Sequence, residues 1–574
     1  MSFLKNNLKN THISRIRFLS IGLMALSLLV IVKLFTIQVL NVDEYRKEAE
    51  EKYVSQKSPT FKRGDIYMED KDGGLIALAT TKSGYKLQIV PNQIEDVDGT
   101  LEALKQYIDI DEEKYNSTIE KADGKFYEVH HEIDKDEGVS ISELELPGVY
   151  ISAQNWRFYP GDNIAAQTVG FVGFEGDKLS GRYGLERYYN EELDGGEGSV
   201  AINPFAEVFL NVRNIITGKS GYANLITTID PNVEIYLRNT LLDLTERWNT
   251  TSAGALILDP VTGEIIAISF VPSFDPNEYE KVNTISSFIN PFTSNIYEFG
   301  SVIKPLVMAG ALNSKVVTRD TSYYDGGSVV VEDKTIYNFD KKGRGTATMQ
   351  DVLNQSLNTG MVFVADKLGK DRVRDYLLGY GIDEPTGVDL PSEISGKVSN
   401  LYSPRQLEYA TASFGQGIAI TPFEAVRAFS ALANDGELPN LHIGKKLIYE
   451  GKEKELKWDK QERSNINPET SEEITRMLVE VLDSMNSGSY KIPTHSVAGK
   501  TGTAQIPDPV NGGYYESRYL HSIFGYFPAY DPEYLVFYFI KEPIGARYSS
   551  QTLGESFFDT VKFLINYYDI PPDR

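Results

Sequence analysis

Changes in the spacing of apolar positions mark the parts of this chain. From Phe18 to Leu40 almost every position is apolar, interrupted by Lys33 and a few small polar residues. A run of that kind suits a bilayer core, which takes about 20 residues of helix. Lys5, Lys9, Arg15 and Arg17 precede it and no acidic residue does. That flank predicts a cytoplasmic tail at 1–17, a single transmembrane anchor at 18–40 and an exported remainder. No small-residue cleavage site follows, which favours an anchor over a signal peptide. From Val42 to about Lys62 the pattern is charged and periodic (Tyr45, Ala49, Tyr53), as in a stalk. Asp72-Gly73 between apolar runs then predicts a β-hairpin. Residues about 92–145 are acidic and helix-prone (101–107, 115–121), which predicts an inserted subdomain, and Leu146 to Val149 returns to strand.

A second domain is expected from about residue 222. Asn224 to Thr228 reads as a strand. Asp230 and Pro231 are a favourable cap and first position for a helix reaching Trp248. Gly254–Leu258 and Ile265–Phe270 flank Asp259–Glu264 as a hairpin. Leu306 to Leu312 is a buried helix by its unbroken apolarity, and Met361 to Leu368 is another helical run. Two alternating strands are expected at His521–Phe527 and Tyr534–Ile540, then an amphipathic helix over about 553–567.

Composition narrows the chemistry. With 574 residues there is room for two or three domains. The net charge of −24 argues against nucleic acid as a partner. The absence of cysteine excludes thiol nucleophiles, disulfides and cysteine-zinc sites. His130-His131 lacks further ligands nearby, so no metal is expected. Gly218-Lys219-Ser220 lacks the upstream glycine of a phosphate loop. No cofactor is expected.

What remains is Tyr297-Glu298-Phe299-Gly300-Ser301-Val302-Ile303-Lys304-Pro305. Residues i and i+3 share a helix face, so the Ser301 hydroxyl and Lys304 amine can meet. A lysine leaving water can lose its proton and serve as base to a serine nucleophile. Later come Ser356-Leu357-Asn358 and Lys500-Thr501-Gly502-Thr503-Ala504. Acyl transfer needs a nucleophile, a base, a proton path and an oxyanion site. Ser356 can pass a proton, Asn358 can hold a substrate amide, Lys500 can meet a carboxylate, and Gly502 permits close backbone approach. Each piece recurs by chance, at Ser83-x-x-Lys86, Ser484-x-Asn486 and the Lys-Ser-Gly runs at 82–84 and 219–221. The order of the three is the specific signal.

With these motifs the chain resembles the class B penicillin-binding proteins, the monofunctional peptidoglycan D,D-transpeptidases. Arg63-Gly64, Arg157-Phe158-Tyr159-Pro160, Gly184-Leu185-Glu186, Gly381 through Glu393, Phe414-Gly415-Gln416-Gly417 and Ile420-Thr421-Pro422 resemble that family as well. Phe299 departs from it, since the family usually has proline there. The resemblance implies an α+β protein with a mainly β pedestal domain at 41–221. A transpeptidase domain follows at 222–574, with an antiparallel sheet flanked by helices. It implies Ser301 as acylated nucleophile, Lys304 as base, Ser356 as proton relay and Asn358 as donor-peptide contact. Lys500, Thr501 and Thr503 would contact the terminal carboxylate, and the Ser301 and Thr503 amides would form the oxyanion hole. Peptidoglycan stem peptides, β-lactams, the membrane and a membrane glycosyltransferase are the implied partners. A β-lactamase would be shorter and lack the pedestal. A D,D-carboxypeptidase shares the motifs, but the large N-terminal domain favours transpeptidation. A sensor or inactive scaffold would show more spans or broken motifs.

Overall fold

The computed structural model describes residues 61–176, 178–195, 221–458 and 462–574, and Met24. The expected anchor at 18–40, the stalk from Val42, Gly218-Lys219-Ser220 and the chain just before residue 221 lie outside the described residues, apart from Met24. Among the described residues no helix is long and apolar enough to cross a membrane. The described chain falls into two compact units, one of residues 61 and 83–155, the other of residues 62–82, 156–176, 178–195, 221–458 and 462–574.

Strands β1 (Ile66–Glu69) and β2 (Leu75–Ile89) form the expected hairpin. Asp70 closes it, its carboxylate accepting from the amides of Asp72 (2.9 Å) and Gly74 (2.7 Å). In the smaller unit the end of β2 pairs with β3 (Tyr127–Ile133). Around them lie α1 (Val97–Leu104), α2 (Glu112–Ile119) and α3 (Lys135–Glu143), and β4 (Val149–Phe158) follows. The acidity of this stretch has a structural use. Asp96 and Asp111 each accept an amide of the first helical turn at 3.0 Å, satisfying donors that a helix leaves unpaired. Leu87, Leu101, Leu104, Tyr115, Val129 and Ile141 form its core. With three helices here, two of them capped, and further short helices at 166–194, the region expected to be mainly β mixes helix and strand.

In the larger unit β5 (Ala223–Thr227) leads into α4 (Pro231–Trp248), and β6 (Ser252–Leu258) and β7 (Ile265–Val271) form the expected hairpin. Helix α5 (Lys304–Asn313) follows. Two small ribbons come next. One pairs β8 (Ser322–Asp325) with β11 (Gly345–Thr348), the other β9 (Ser328–Val331) with β10 (Lys334–Tyr337). Then come α6 (Met349–Asn354), α7 (Asn358–Leu368), α8 (Pro422–Ala433), β12 (Gly444–Tyr449) and α9 (Pro468–Ser484). The chain closes with β13 (Ala498–Pro507), β14 (Tyr514–Phe527), β15 (Tyr534–Lys541) and α10 (Gly554–Tyr567). Strand β5 pairs parallel with β1 and antiparallel with β12.

The central sheet is antiparallel in the order β13-β14-β15-β6-β7. Helices cover both faces. Leu256, Phe524, Phe537 and Phe539 join the core that holds α5, α8 and α9. Ile257, Val536, Tyr538 and Ile540 join the core of α4 and α10. This corrects the expectation of apolar-polar alternation in the last two strands: successive residues enter two different cores, so both sets are apolar. The Arg63, Arg157 and Glu186 stretches converge in the same unit. The fully buried Glu186 carboxylate accepts from Arg63 Nε and Arg157 Nε, each at 2.6 Å. Burial alone would raise its pKa; the two guanidiniums override that and hold it below the usual carboxylate value.

Candidate active site

Ser301 sits on a 3-10 turn, Gly300–Ile303, that runs into α5 at Lys304. Gly300 has φ +67°, a backbone region open to glycine. A Cβ there would stand 3.0 Å from Ala504 Cβ and 3.1 Å from the Thr503 carbonyl oxygen, so the turn lies directly against the third motif. Its amide donates to the Gly415 carbonyl at 3.2 Å, and a Cβ on Gly415 would come 2.1 Å from the Gly300 oxygen. The Phe414–Gly417 stretch is thereby part of the wall behind Ser301.

Lys304 is fully buried. Its amine donates to the Ser356 carbonyl (2.7 Å), Ser356 Oγ (3.1 Å) and Asn358 Oδ1 (2.8 Å). Burial, and then the charge of Lys500, push its pKa well below that of an ordinary lysine. The i,i+3 spacing placed Ser301 and Lys304 on a shared face where the two side chains can meet. Among the described residues the amine is bonded to the second motif, through Ser356 and Asn358.

Ser356 lies between α6 and α7 with φ +53°, a strained value for a residue with a side chain. Leu357, which separates the two polar residues of the motif, is fully buried and faces the core. Asn358 turns its Nδ2 to the Tyr337 carbonyl at 3.0 Å.

Along β13, Lys500, Gly502 and Ala504 are buried while Thr501 and Thr503 are half-buried, as strand alternation requires. Lys500 is 1% exposed, and burial lowers its pKa to about 8. Its amine donates to the Thr501 carbonyl at 3.2 Å, and among the described residues it makes no hydrogen bond to Ser356. Thr503 Oγ1 accepts from the Ser549 amide at 3.1 Å. Gly502 makes room for the nucleophile's own turn: a Cβ would stand 2.5 Å from the Phe299 carbonyl oxygen and 2.3 Å from Ser522 Oγ.

The decoy motifs separate by structure. Ser83 and Lys86 lie on strand β2, where residues three apart point to opposite faces, and Lys86 pairs with Glu128. Ser484 ends α9 and Asn486 lies in the turn after it. Sequence reasoning missed several contributors. Ser522 Oγ donates to the Phe299 carbonyl at 3.0 Å. Phe299 is buried against Tyr297, Phe537 and Phe539, so an aromatic cluster secures the approach to Ser301 where proline is usual. Tyr514 donates to Glu298 at 2.8 Å. No spacing rule links these residues, which become neighbours through the sheet.

Residues 253–561 match the family described as the penicillin binding protein transpeptidase domain, and residues 59–207 match the penicillin-binding protein dimerisation domain. The chain is 30% identical over 491 residues to stage V sporulation protein D of Bacillus subtilis (strain 168), across 84% of this chain and 74% of that protein. It is 25% identical over 582 residues to the probable peptidoglycan D,D-transpeptidase PenA of Neisseria gonorrhoeae, across 98% and 94% of the two chains. The crystal structure of penicillin-binding protein 3 of Mycobacterium tuberculosis complexed with aztreonam superposes with a TM-score of 0.67 at 22% identity, over 90% of this chain and 98% of that one, a likeness of fold.

Proposed function

This chain belongs to the class B penicillin-binding proteins, the serine-type peptidoglycan D,D-transpeptidases of cell wall synthesis, and from that premise we propose how its own residues run the reaction. The observation that carries the reading is the buried Lys304 amine held on Ser356 and Asn358. As an ammonium, its three protons have three acceptors. As a neutral amine, it keeps two N–H bonds on the carbonyl oxygens of Ser356 and Asn358, and its lone pair turns toward the hydroxyl side of the site. Burial, and then the charge of Lys500, favour that neutral form.

Lys304 takes the Ser301 proton as Oγ attacks the carbonyl of the penultimate residue of a donor stem peptide. The Ser301 and Thr503 amides stabilise the resulting oxyanion. The C–N bond to the terminal residue breaks, and Ser356 relays a proton to the departing amine. An acyl-ester on Ser301 remains, and the amine of a second stem peptide attacks it, forming the cross-link and freeing Ser301. Asn358 holds a donor amide; Lys500, Thr501 and Thr503 hold the terminal carboxylate, with Gly502 allowing the strand to approach the Ser301 turn. A β-lactam enters the same acylation step and stays on Ser301.

Residues 222–574 carry this chemistry and 41–221 act as the pedestal, with 92–145 inserted in it; the two family matches support that division. The basic flank and the apolar run at 18–40 support an anchor with the catalytic domain outside the cell membrane; a membrane glycosyltransferase partner is what the family resemblance implies. Intact-protein mass spectrometry after β-lactam treatment tests the assignment. One adduct is expected on Ser301, and none on Ser301→Ala at unchanged melting temperature; full labelling of Ser301→Ala would refute it.

A further inference from the structure

Asp325 stands outside the three motifs, at the end of β8, and is 1% exposed. Its Oδ1 accepts from the Gly327 amide (2.9 Å), Asn338 Nδ2 (3.0 Å) and Thr359 Oγ1 (2.8 Å). Its Oδ2 accepts from Asn338 Nδ2 (2.9 Å) and the Arg344 amide (3.0 Å). Asn338, equally buried, accepts in turn from the Thr359 amide (3.2 Å). The neighbouring Tyr337 carbonyl takes Asn358 Nδ2 at 3.0 Å. Two adjacent residues at the end of β10, Tyr337 and Asn338, thus grip two adjacent residues at the start of α7.

This grip does work that α7 does not do for itself. The residue before the helix, Leu357, makes no side-chain cap. The orphan amide of Thr359 is satisfied by Asn338, a residue from a distant ribbon. The Tyr337 contact also selects which end of the Asn358 amide meets Lys304. With Nδ2 engaged on Tyr337, Oδ1 is the atom left for the Lys304 amine, at 2.8 Å.

We propose that Asp325, acting through Asn338 and Thr359, is a positioning residue for acylation. It holds the start of α7 so that Asn358 presents its oxygen to Lys304. This rests on the assignment of Lys304 as base and Asn358 as its partner. The groups facing the Lys304 amine are Ser356 and Asn358 from the α7 side and Lys500 from β13; Asp325 reaches it only through the grip. An acceptor bonded to an ammonium favours the charged form. Loosening Asn358 therefore lowers the Lys304 pKa further, moving the acid limb of the acylation profile to lower pH. The plateau falls at the same time, because the second motif is misplaced.

The test is the acylation rate constant of the full chain with a chromogenic cephalosporin, measured against pH, in Asp325→Asn, Thr359→Val and Thr359→Ser. Thr359→Val keeps the shape and removes the hydroxyl. Its plateau should fall about tenfold or more, given that a misplacement of about 1 Å can cost about 100-fold, with the acid limb shifted down. Thr359→Ser should restore most of the rate and the limb. If Asp325→Asn fails to fold, Thr359→Val carries the test. A folded Thr359→Val with wild-type rate and limb overturns the proposal, as does a loss that follows melting temperature alone with the limb unmoved. Lys304→Ala is the separate arm: full acylation by that variant would refute the assignment of the base and not the grip.

Discussion

At the scale of single residues, Lys500 separates carboxylate recognition from general acylation. It is buried on a strand beside the Ser301 turn, with its pKa lowered to about 8 by burial. If its charge anchors the terminal carboxylate, Lys500→Ala should slow acylation by acid-bearing donors by roughly 2 to 5 kcal/mol, the cost of truncating one partner of a buried charge pair. Matched amide donors should lose less. Lys500 is charged below its folded pKa and neutral above it, so the acid donor's advantage should fade as pH rises through about 8. Rates for paired acid and amide donors across pH check this; equal losses for both would remove the anchoring role.

At the scale of elements, α4 shows how a helix that makes no contact with the chemistry orders the sheet that bears it. Asp230 caps it, accepting from the amides of Asn232 (2.9 Å) and Val233 (3.3 Å). The same carboxylate accepts from the hydroxyls of Tyr567 (3.0 Å) and Tyr568 (3.2 Å) at the end of α10. One side chain thus ties together the two helices that cover a single face of the sheet. Asp230→Ala should cost about 2 kcal/mol, the upper end for a cap, read as a shift in denaturant midpoint with the acylation rate of the folded fraction unchanged.

For the whole molecule, the Arg63–Glu186–Arg157 cluster joins segments that are far apart in the chain. Removing one charge from such a group strands the others in the interior, so Glu186→Gln should destabilise by about 3 to 5 kcal/mol. Because Glu186 has a folded pKa below the usual carboxylate value, its contribution is present above the unfolded pKa. It is lost as pH falls through the folded one. Unfolding free energy measured against pH should therefore drop on the acid side in the wild type and flatten there in the variant. Topology is tested on cells with a permeable outer layer. External protease should digest the chain beyond about residue 41, and protection of the C-terminal domain would overturn the proposed orientation.

Much of the local structure was legible because local physics sets it. An Asp-Pro start, an Asp-Gly turn or an unbroken apolar run acts within a few residues, so the hairpin at 66–89, the helix from Pro231 to Trp248 and the buried α5 could be read directly. The three motifs were legible as motifs because their residue types belong to one chemistry. The partners within the site were not. Periodicity placed Ser301 and Lys304 on one helix face, but it could not show that the Lys304 amine bonds Ser356 and Asn358. Nor could spacing show that the apolar strands at 521–527 and 534–540 face two cores, or that Asp325 and Asn338 support Asn358. Those contacts span tens to hundreds of residues of sequence. Closing such loops costs entropy that only the packed sheet and its covering helices offset; the sequence alone determined the elements and the chemistry, and the tertiary structure decided which side chains meet.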